Sequence, residues 1–428
     1  MRWTWRTISS PWGNSGGAEG EMNLLSFAYL NIRRNRHRTL VTVGAMAFAG
    51  FIMIFYASLL EGWLLGMERN AVGMELGEIQ IHQPGYRHDP DLYNLINDPG
   101  KVVEQAGRLG FQAAPRLFGG GLAAAGSASA GVRLRGVDIP REKLVTEMHD
   151  HLLAGNWLEV DDPHGIVLGR KLARTIDVQL GEEVVLVSQA ADGSLANDLF
   201  RVRGILKSIG EGLDRSAVLM TEAAFRSFMA LPEGVHEISL KRQEVERELE
   251  ISTGELAAAF PELEVLSWKR LQPVLARIME MSRYSLIILL LITYAAVGIL
   301  TLNAMLMSVF ERIPEFGVMK ALGLSAWRLF LLVTAETLIL VSFAVFLAMA
   351  AGIPLSLYYE THPLDFSGLA RSSSTIAGIA FEPKWYCRVT PETVLLPVVF
   401  MYLIAALAIL YPAIKAALIR PVDAIHHT

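Results

Sequence analysis

Hydrophobic positions along this chain fall into two regimes, long unbroken apolar runs and short alternating runs bounded by Gly, Asp and Pro. A run must hold about 20 apolar residues to cross a hydrocarbon core of roughly 30 Å. Three windows free of charge reach that length, residues 40–60, 284–310 and 393–414, and a fourth, 329–359, does so with one acid, Glu336, inside it. A buried core helix is the alternative for any one window, but soluble helices rarely need such lengths. The pattern therefore predicts four transmembrane helices, over residues 40–66, 284–310, 328–357 and 393–414.

Between the first and second runs the periodicity changes. Short alternating or β-branched segments predict strands at 78–82, 131–137, 165–169, 182–188, 200–205, 216–220 and 236–240, interspersed with helices at 170–176, 222–229 and 244–260. Asp192-Gly193, between two of these strands, reads as a hairpin tip. The expected fold class is thus an α-helical membrane protein with four transmembrane helices and a large mixed α/β extracytoplasmic domain, residues 67–283, between helices 1 and 2. Two helical stalks are expected to join that domain to the membrane, the first span continuing to about Val72 and a segment running from Trp268 into Tyr284. On the second stalk Leu271, Leu275, Ile278 and Met281 form an apolar stripe at helical spacing. Such a stripe either packs against the first stalk or lines a substrate cleft.

Composition agrees with this division: 52% hydrophobic and 19% charged residues, with a mean hydropathy of +0.36, place the chain among membrane proteins with a soluble part. Basic residues near the ends of spans mark the cytoplasmic side. Arg33, Arg34, Arg36 and Arg38 precede the first run, Arg312, Lys320 and Arg328 lie between the second and third, and Lys415 and Arg420 follow the fourth. Both termini are then cytoplasmic, with a tail at 415–428, and the loop 358–392 is external. Residues 1–21 are rich in Gly, Ser and Trp and show no signal-peptide pattern. Met22 opens a more coherent segment, and the expectation is that translation starts there, residues 1–21 being disordered or untranslated; intact-mass measurement checks it. Leu25, Ala28, Tyr29 and Ile32 recur at helical spacing, predicting an amphipathic helix over 22–39 on the inner membrane surface.

Catalytic chemistry does not emerge. Gly165 to Lys171 has a superficial likeness to a phosphate loop, but the Gly-x-x-x-x-Gly-Lys-Ser/Thr spacing is absent throughout, so no ATPase is expected on this chain. The glycines at 119–121 and at 210 and 212 read as turns, and residues 119–131, rich in Gly, Ala and Ser, as a partner-binding loop or slack. His82, His88, His151, His164 and His236 lack the close pairing of a zinc site, and neither a catalytic residue nor a metal is expected. The one cysteine, Cys387, permits no intrachain disulfide, and its neighbours Trp385 and Tyr386 suit a membrane-interface belt. Within the spans, Glu336 calls for a partner such as Arg328, Lys320 or a serine, or for a function, and Asn303 could hydrogen-bond across helices. In the turn that follows Asn303, Pro314 suits the start of a short helix, Glu315 complements its positive end, and Gly317 and Gly323 allow close approach or a turn.

These residues carry a resemblance. Asn303, Met307, Glu311, Arg312, Glu315, Phe316, Gly317, Lys320 and Gly323, followed by a span containing Glu336, together with Tyr411, Pro412, Ala413, Lys415, Ala416 and Pro421, are similar to the pattern of FtsX-like (MacB-type) ABC transporter permeases. The four-span order and the lack of a fused ATPase most resemble lipoprotein-releasing permeases of the LolC/LolE type. The resemblance implies a coupling helix over 311–327, in which Glu311, Arg312, Pro314, Glu315, Phe316, Gly317, Lys320 and Gly323 engage a cytoplasmic ABC ATPase present in two copies. It further implies a second permease, identical or homologous, ATP and Mg bound only by the ATPase, a lipoprotein or lipid substrate, a periplasmic carrier, no nucleic acid, and a Gram-negative inner membrane. A mechanotransmission permease for efflux and a non-transporting regulator of a cell-wall hydrolase are the alternatives.

Overall fold

The computed structural model describes residues 36–244, 247–365, 374–376, 379–381 and 384–419. The extension at 1–21, nearly all of the expected amphipathic helix at 22–39, and Pro421 lie outside them. The described chain forms two compact units, one from residues 36–53, 290–352 and 395–419, the other from residues 54–289 and 353–394.

Helix α1 (Arg36–Glu68) runs into a π-helical segment, Arg69–Leu76, and then β1 (Ile79–His82). There follow α2 (Pro99–Arg108), the hairpin β2 (Phe111–Ala125) and β3 (Ala128–Val137), α3 (Ile139–Val145), β4 (Leu152–Gly155), β5 (Gly165–Leu168) and α4 (Arg170–Thr175). A second hairpin, β6 (Glu183–Gln189) and β7 (Leu195–Leu206), precedes α5 (Glu211–Ser216), β8 (Ala217–Thr221), α6 (Glu222–Phe228), β9 (Glu237–Arg242), α7 (Leu249–Ala259), β10 (Glu264–Ser267) and one turn, α8 (Trp268–Leu271). The chain then continues through α9 (Pro273–Glu311), α10 (Ile313–Ala321), α11 (Ala326–Thr361) and α12 (Pro391–Leu418), with two small ribbons between the last two. Among the described residues α1, α9, α11 and α12 are long and apolar enough to cross a membrane.

The strands of the larger unit join in the order β10-β1-β9-β2-β3-β8-β5-β7-β4, and β6 pairs with both β7 and β2. That double pairing closes β2, β3, β8, β5, β7 and β6 into a ring, which leaves those strands no open edge. Strand β2 serves both parts: Phe111–Arg116 pairs with β9 in the open sheet, and Leu122–Ala124 pairs with β6 in the ring. The expected strands are all present, within a few residues of their predicted ends. The run 119–131 is not slack: apart from the turn residues Gly126 and Ser127 it is paired within the β2–β3 hairpin. Two of its glycines, Gly119 and Gly121, are crowded by neighbours, while Gly120, Gly126 and Gly131 face open space. A Cβ on Gly121 would stand 2.7 Å from the Val187 carbonyl oxygen of β6, and one on Gly136, in β3, 2.6 Å from the Phe225 Cβ of α6. The tip at Asp192-Gly193 forms as expected, with Gly193 at φ 83° and Asp192 accepting from the Ser194 amide at 2.9 Å.

Apolar side chains fill a large core, in which Phe200 meets Phe228 edge to face at 5.6 Å, and a smaller one around Met148, Trp157 and Leu219. Leu275, fully buried, belongs to the large core together with Met67 and Ala71, and Ile278 packs against it. The stripe Leu271, Leu275, Ile278, Met281 is therefore mainly packing: Leu271 and Leu275 are inside and only Met281 is well exposed. A cleft wall is ruled out at Leu275 because no surface remains there for a ligand to touch.

Beside this core lies a buried charge cluster. Arg116, 1% exposed, holds Glu142 with two nitrogens, at 3.0 and 2.7 Å, and Glu237 at 2.8 Å, while Glu237 also meets His82 at 3.2 Å. Burial alone would raise the Glu237 carboxyl, but the His82 hydrogen bond and the Arg116 charge outweigh it and hold its pKa at about 2. Next to it, His236 accepts from the Phe118 amide through Nδ1 at 3.1 Å and faces the Leu92 carbonyl through Nε2 at 3.1 Å. Those partners suit a neutral ring with its proton on Nε2. Burial accordingly lowers its pKa from 6.5 to about 4.

Two outcomes follow from this packing. Gly136→Val should destabilise the external domain by about 1–3 kcal/mol in thermal unfolding of the whole chain, because Phe225 has to move. Gly131→Ala, with nothing within 4 Å of the new Cβ, should change stability by less than about 0.5 kcal/mol. The pH dependence has a defined sign, since the folded state disfavours the His236 proton that the unfolded chain accepts. Stability is full above about 6.5 and declines as pH falls towards 4, by on the order of 3 kcal/mol. Glu237 adds to the loss only below its ordinary value of 4.5. His236→Gln, which can keep both hydrogen bonds, should flatten the decline between pH 6.5 and 4.5; an unchanged slope would assign it to other groups.

Candidate functional site, a short clamped helix

Helix α10 is short and its ends are well specified. Pro314 lies in its first turn, where a missing N–H costs no hydrogen bond, and Glu315 sits at the positive end with Lys320 at the negative end. At the C-terminus Gly323 takes φ 96°, its amide donates to Lys320 at 3.0 Å and the Leu324 amide donates to Met319 at 3.0 Å. This pair of bonds closes the helix, and glycine is needed for the left-handed residue.

Each end of α10 is fastened to a different long helix. Arg312, at its N-cap, is 7% exposed; its Nη1 donates to Glu336 on α11 at 3.0 Å and its Nε to Glu315 at 3.1 Å. Its guanidinium also lies 5.0 Å from the centre of the Phe316 ring, which is itself buried with Gly317. At the other end Lys320 Nζ donates to the Ala417 and Ile419 carbonyls, both at 2.7 Å, and so caps the C-terminus of α12. Lys415 of α12 lies 4.4 Å from the Phe310 ring at the end of α9. Among the long helices, a Cβ on Gly298 of α9 would stand 2.7 Å from Ile404 of α12, and one on Gly50 of α1 2.8 Å from Ala348 of α11, so small residues admit close helix contact.

Of the residues singled out in the sequence, Arg312, Glu315, Phe316 and Glu336 come together in one cluster, and Pro314, Gly317, Lys320 and Gly323 shape or tether the same helix. Glu311 lies exposed at the end of α9. Among the described residues Glu336 is held by Arg312 at 3.0 Å, a partner the sequence reading did not name. Asn303 makes no cross-helix hydrogen bond among the described residues and is exposed on α9. Sequence reading missed the outward apolar residues, Val318 and Leu322 at i and i+4, the latter 83% exposed, and Trp327, stacked on Phe330 at 5.2 Å. The available signal was apolar side chains within a charged turn. Among the described residues no group of three or more metal-ligating side chains lies there.

Residues 39–251 match the MacB-like periplasmic core domain, and residues 287–421 match the FtsX-like permease C-terminal family, which contains the whole clamp. The chain belongs to the FtsX-like, MacB-type permeases. As such it is a multi-pass membrane protein with a large external α/β domain between helices α1 and α9. This permease is 21% identical over 287 residues to an uncharacterised ABC transporter permease of Methanocaldococcus jannaschii, a match covering 63% of this chain and 64% of that relative's length. Among solved structures it is similar to the periplasmic region of MacB from Actinobacillus actinomycetemcomitans, at 14% identity and TM-score 0.35, over 49% of this chain and 95% of that one. It is also similar to the extracellular domain of the noncanonic ABC-type transporter YknZ from Gram-positive bacteria, at 13% identity and TM-score 0.33, over 44% of this chain and 99% of that one.

Energetically the Arg312–Glu336 pair behaves as a unit. Arg312→Met or Glu336→Leu alone should each destabilise the permease, by up to about 3–5 kcal/mol, since each removes the partner that a buried charge holds at 3.0 Å. The double substitution should cost far less than the two losses added together, and a double-mutant cycle on detergent-solubilised protein reads the difference. Additive losses would show that the two groups do not depend on each other.

Proposed function

We propose that this chain is the permease subunit of an ABC transporter, working as a dimer with an identical or homologous permease in the bacterial inner membrane, both termini cytoplasmic. Two copies of a separate ATPase, which binds the ATP and Mg, dock on α10. The observation that carries the reading is the clamp. A short helix with an exposed apolar face, fastened at one end to α11 through Arg312 and Glu336 and at the other to α12 through Lys320, passes a push into both spans rather than yielding to it. The continuity of α1 and α9, each of which contributes residues to both units, supports transmission to the external domain. The work done there is the extraction of a lipoprotein or other lipidic substrate from the outer leaflet and its transfer to a periplasmic carrier, without the substrate crossing the membrane.

The test is stimulation of ATP hydrolysis by the reconstituted complex. Leu322→Arg with Val318→Glu should reduce stimulated turnover at least about tenfold by removing an apolar docking face, while the permease keeps its melting temperature. Lys320→Met should leave the ATPase bound but lower substrate release. Normal stimulation in the docking variant would contradict the role assigned to α10.

A further inference from the structure

The external domain holds a cavity of about 950 Å³, on the side of the β2–β3 hairpin that carries the buried charge cluster. Its size is that of a small-molecule site. Its lining includes the apolar side chains of Phe118, Val132, Leu92 and Met229 and, among polar groups, several guanidinium groups. Arg116 lines it too, but Glu142 and Glu237 engage that side chain fully. Three further arginines are less satisfied. Arg87 and Arg133 are exposed and make no ion pair or hydrogen bond among the described residues. Arg135, two residues along the same face of β3 from Arg133, has a side chain only 5% exposed. It is held by Glu75 at 3.3 Å and by the Phe118 ring at 5.1 Å, and its Nη1 has no hydrogen-bond partner.

A buried guanidinium with an empty donor position is costly, and in folded proteins such groups usually have a partner. Burial, the largest influence on Arg135, lowers its affinity for its proton, and Glu75 does not restore it. The acids that line the cavity are Glu75, Glu237 and Asp91. The first two are already engaged by Arg135 and Arg116, which leaves Asp91, on the mouth, as the one lining acid without a basic partner among the described residues, against two free arginines and the vacant donor of a third. Guanidinium donors converging from more than one side chain match the oxygens of a phosphate.

From this arrangement we infer that the cavity binds a phosphate-bearing ligand, the phosphate held by Arg87, Arg133 and Arg135 and any apolar portion lying against Phe118, Val132 and Met229. The site belongs to the external domain's own residues and does not depend on α10, so it stands or falls separately from the coupling proposed above. Phosphate of this kind comes from a lipid head group or from a free phosphate compound, and the apolar wall distinguishes them.

The experiment is calorimetric titration of the whole chain in phosphatidylcholine nanodiscs with two probes, inorganic phosphate and dihexanoylphosphatidylglycerol. Both should bind, and in Arg87→Ala/Arg133→Ala, two exposed positions whose loss leaves the core intact, both should bind at least about tenfold more weakly. The corresponding double Lys variant, retaining charge but not the planar fork, should fall between the two. Lipid binding at least about tenfold tighter than inorganic phosphate assigns the site to a head group; equal binding assigns it to a free phosphate compound. Absence of binding by either probe, or affinity unchanged in the double Ala variant, as simple partitioning of the lipid into the disc would give, overturns the inference.

Discussion

A charge carried to the end of a membrane span has to be neutralised where water is scarce, and where α9 gives way to α10 Arg312 and Glu336 neutralise each other. Their 3.0 Å contact decides more than local stability. It sets the angle at which α10 leaves α9, because Arg312 is the N-cap of the short helix, and it joins that helix to α11. Lys320 then joins its other end to the last carbonyls of α12. A nine-residue helix has little stability alone. Its definition here comes from two charged tethers, a buried Phe316 and a glycine-closed C-terminus.

The external domain follows a different logic, in which backbone proximity decides composition. Closing β2, β3, β8, β5, β7 and β6 into a ring forces β2 against β6, and helix α6 against β3, so closely that Gly121 and Gly136 cannot carry side chains without displacement of a neighbour. The same crowding draws the polar residues of β2 and β9 into the interior, where Arg116, Glu142, Glu237 and His82 satisfy one another. Burying such a cluster contributes little net stability, yet it tolerates few alternative arrangements of the strands that carry it. Two of the adjoining cavity's arginines come from β3, whose alternation puts Arg133 and Arg135 on one face.

Reading from sequence succeeded where the physics is local. A run of some 20 apolar residues has few uses other than crossing a bilayer, and alternating β-branched segments bounded by turn residues have few uses other than strands. It failed at β2, where Gly119 to Gly121 and the following residues read as a turn, a partner-binding loop or slack: glycine lowers strand propensity, and only the approach of β6 and α6 explains why Gly119 and Gly121 carry no side chain. On the stalk it left packing and a cleft wall both open, and the burial of Leu271 and Leu275 favours packing. The spacing of Leu271, Leu275 and Ile278 identifies an apolar face but not what covers it, and the cover is a core assembled from residues over 150 positions apart in sequence, Met67 and Phe111 among them.

The amino-acid sequence alone thus determined the four membrane-length helices, the external α/β domain between the first and second, and the position of the charged turn, because each depends on the composition or period of a contiguous stretch. The tertiary structure decided which residue neutralises Glu336, which carbonyls Lys320 caps, why Gly119 and Gly121 stay small, and that four arginines line one cavity. Each of those is a distance between side chains or backbones far apart in the chain, and such distances exist only once the chain has folded.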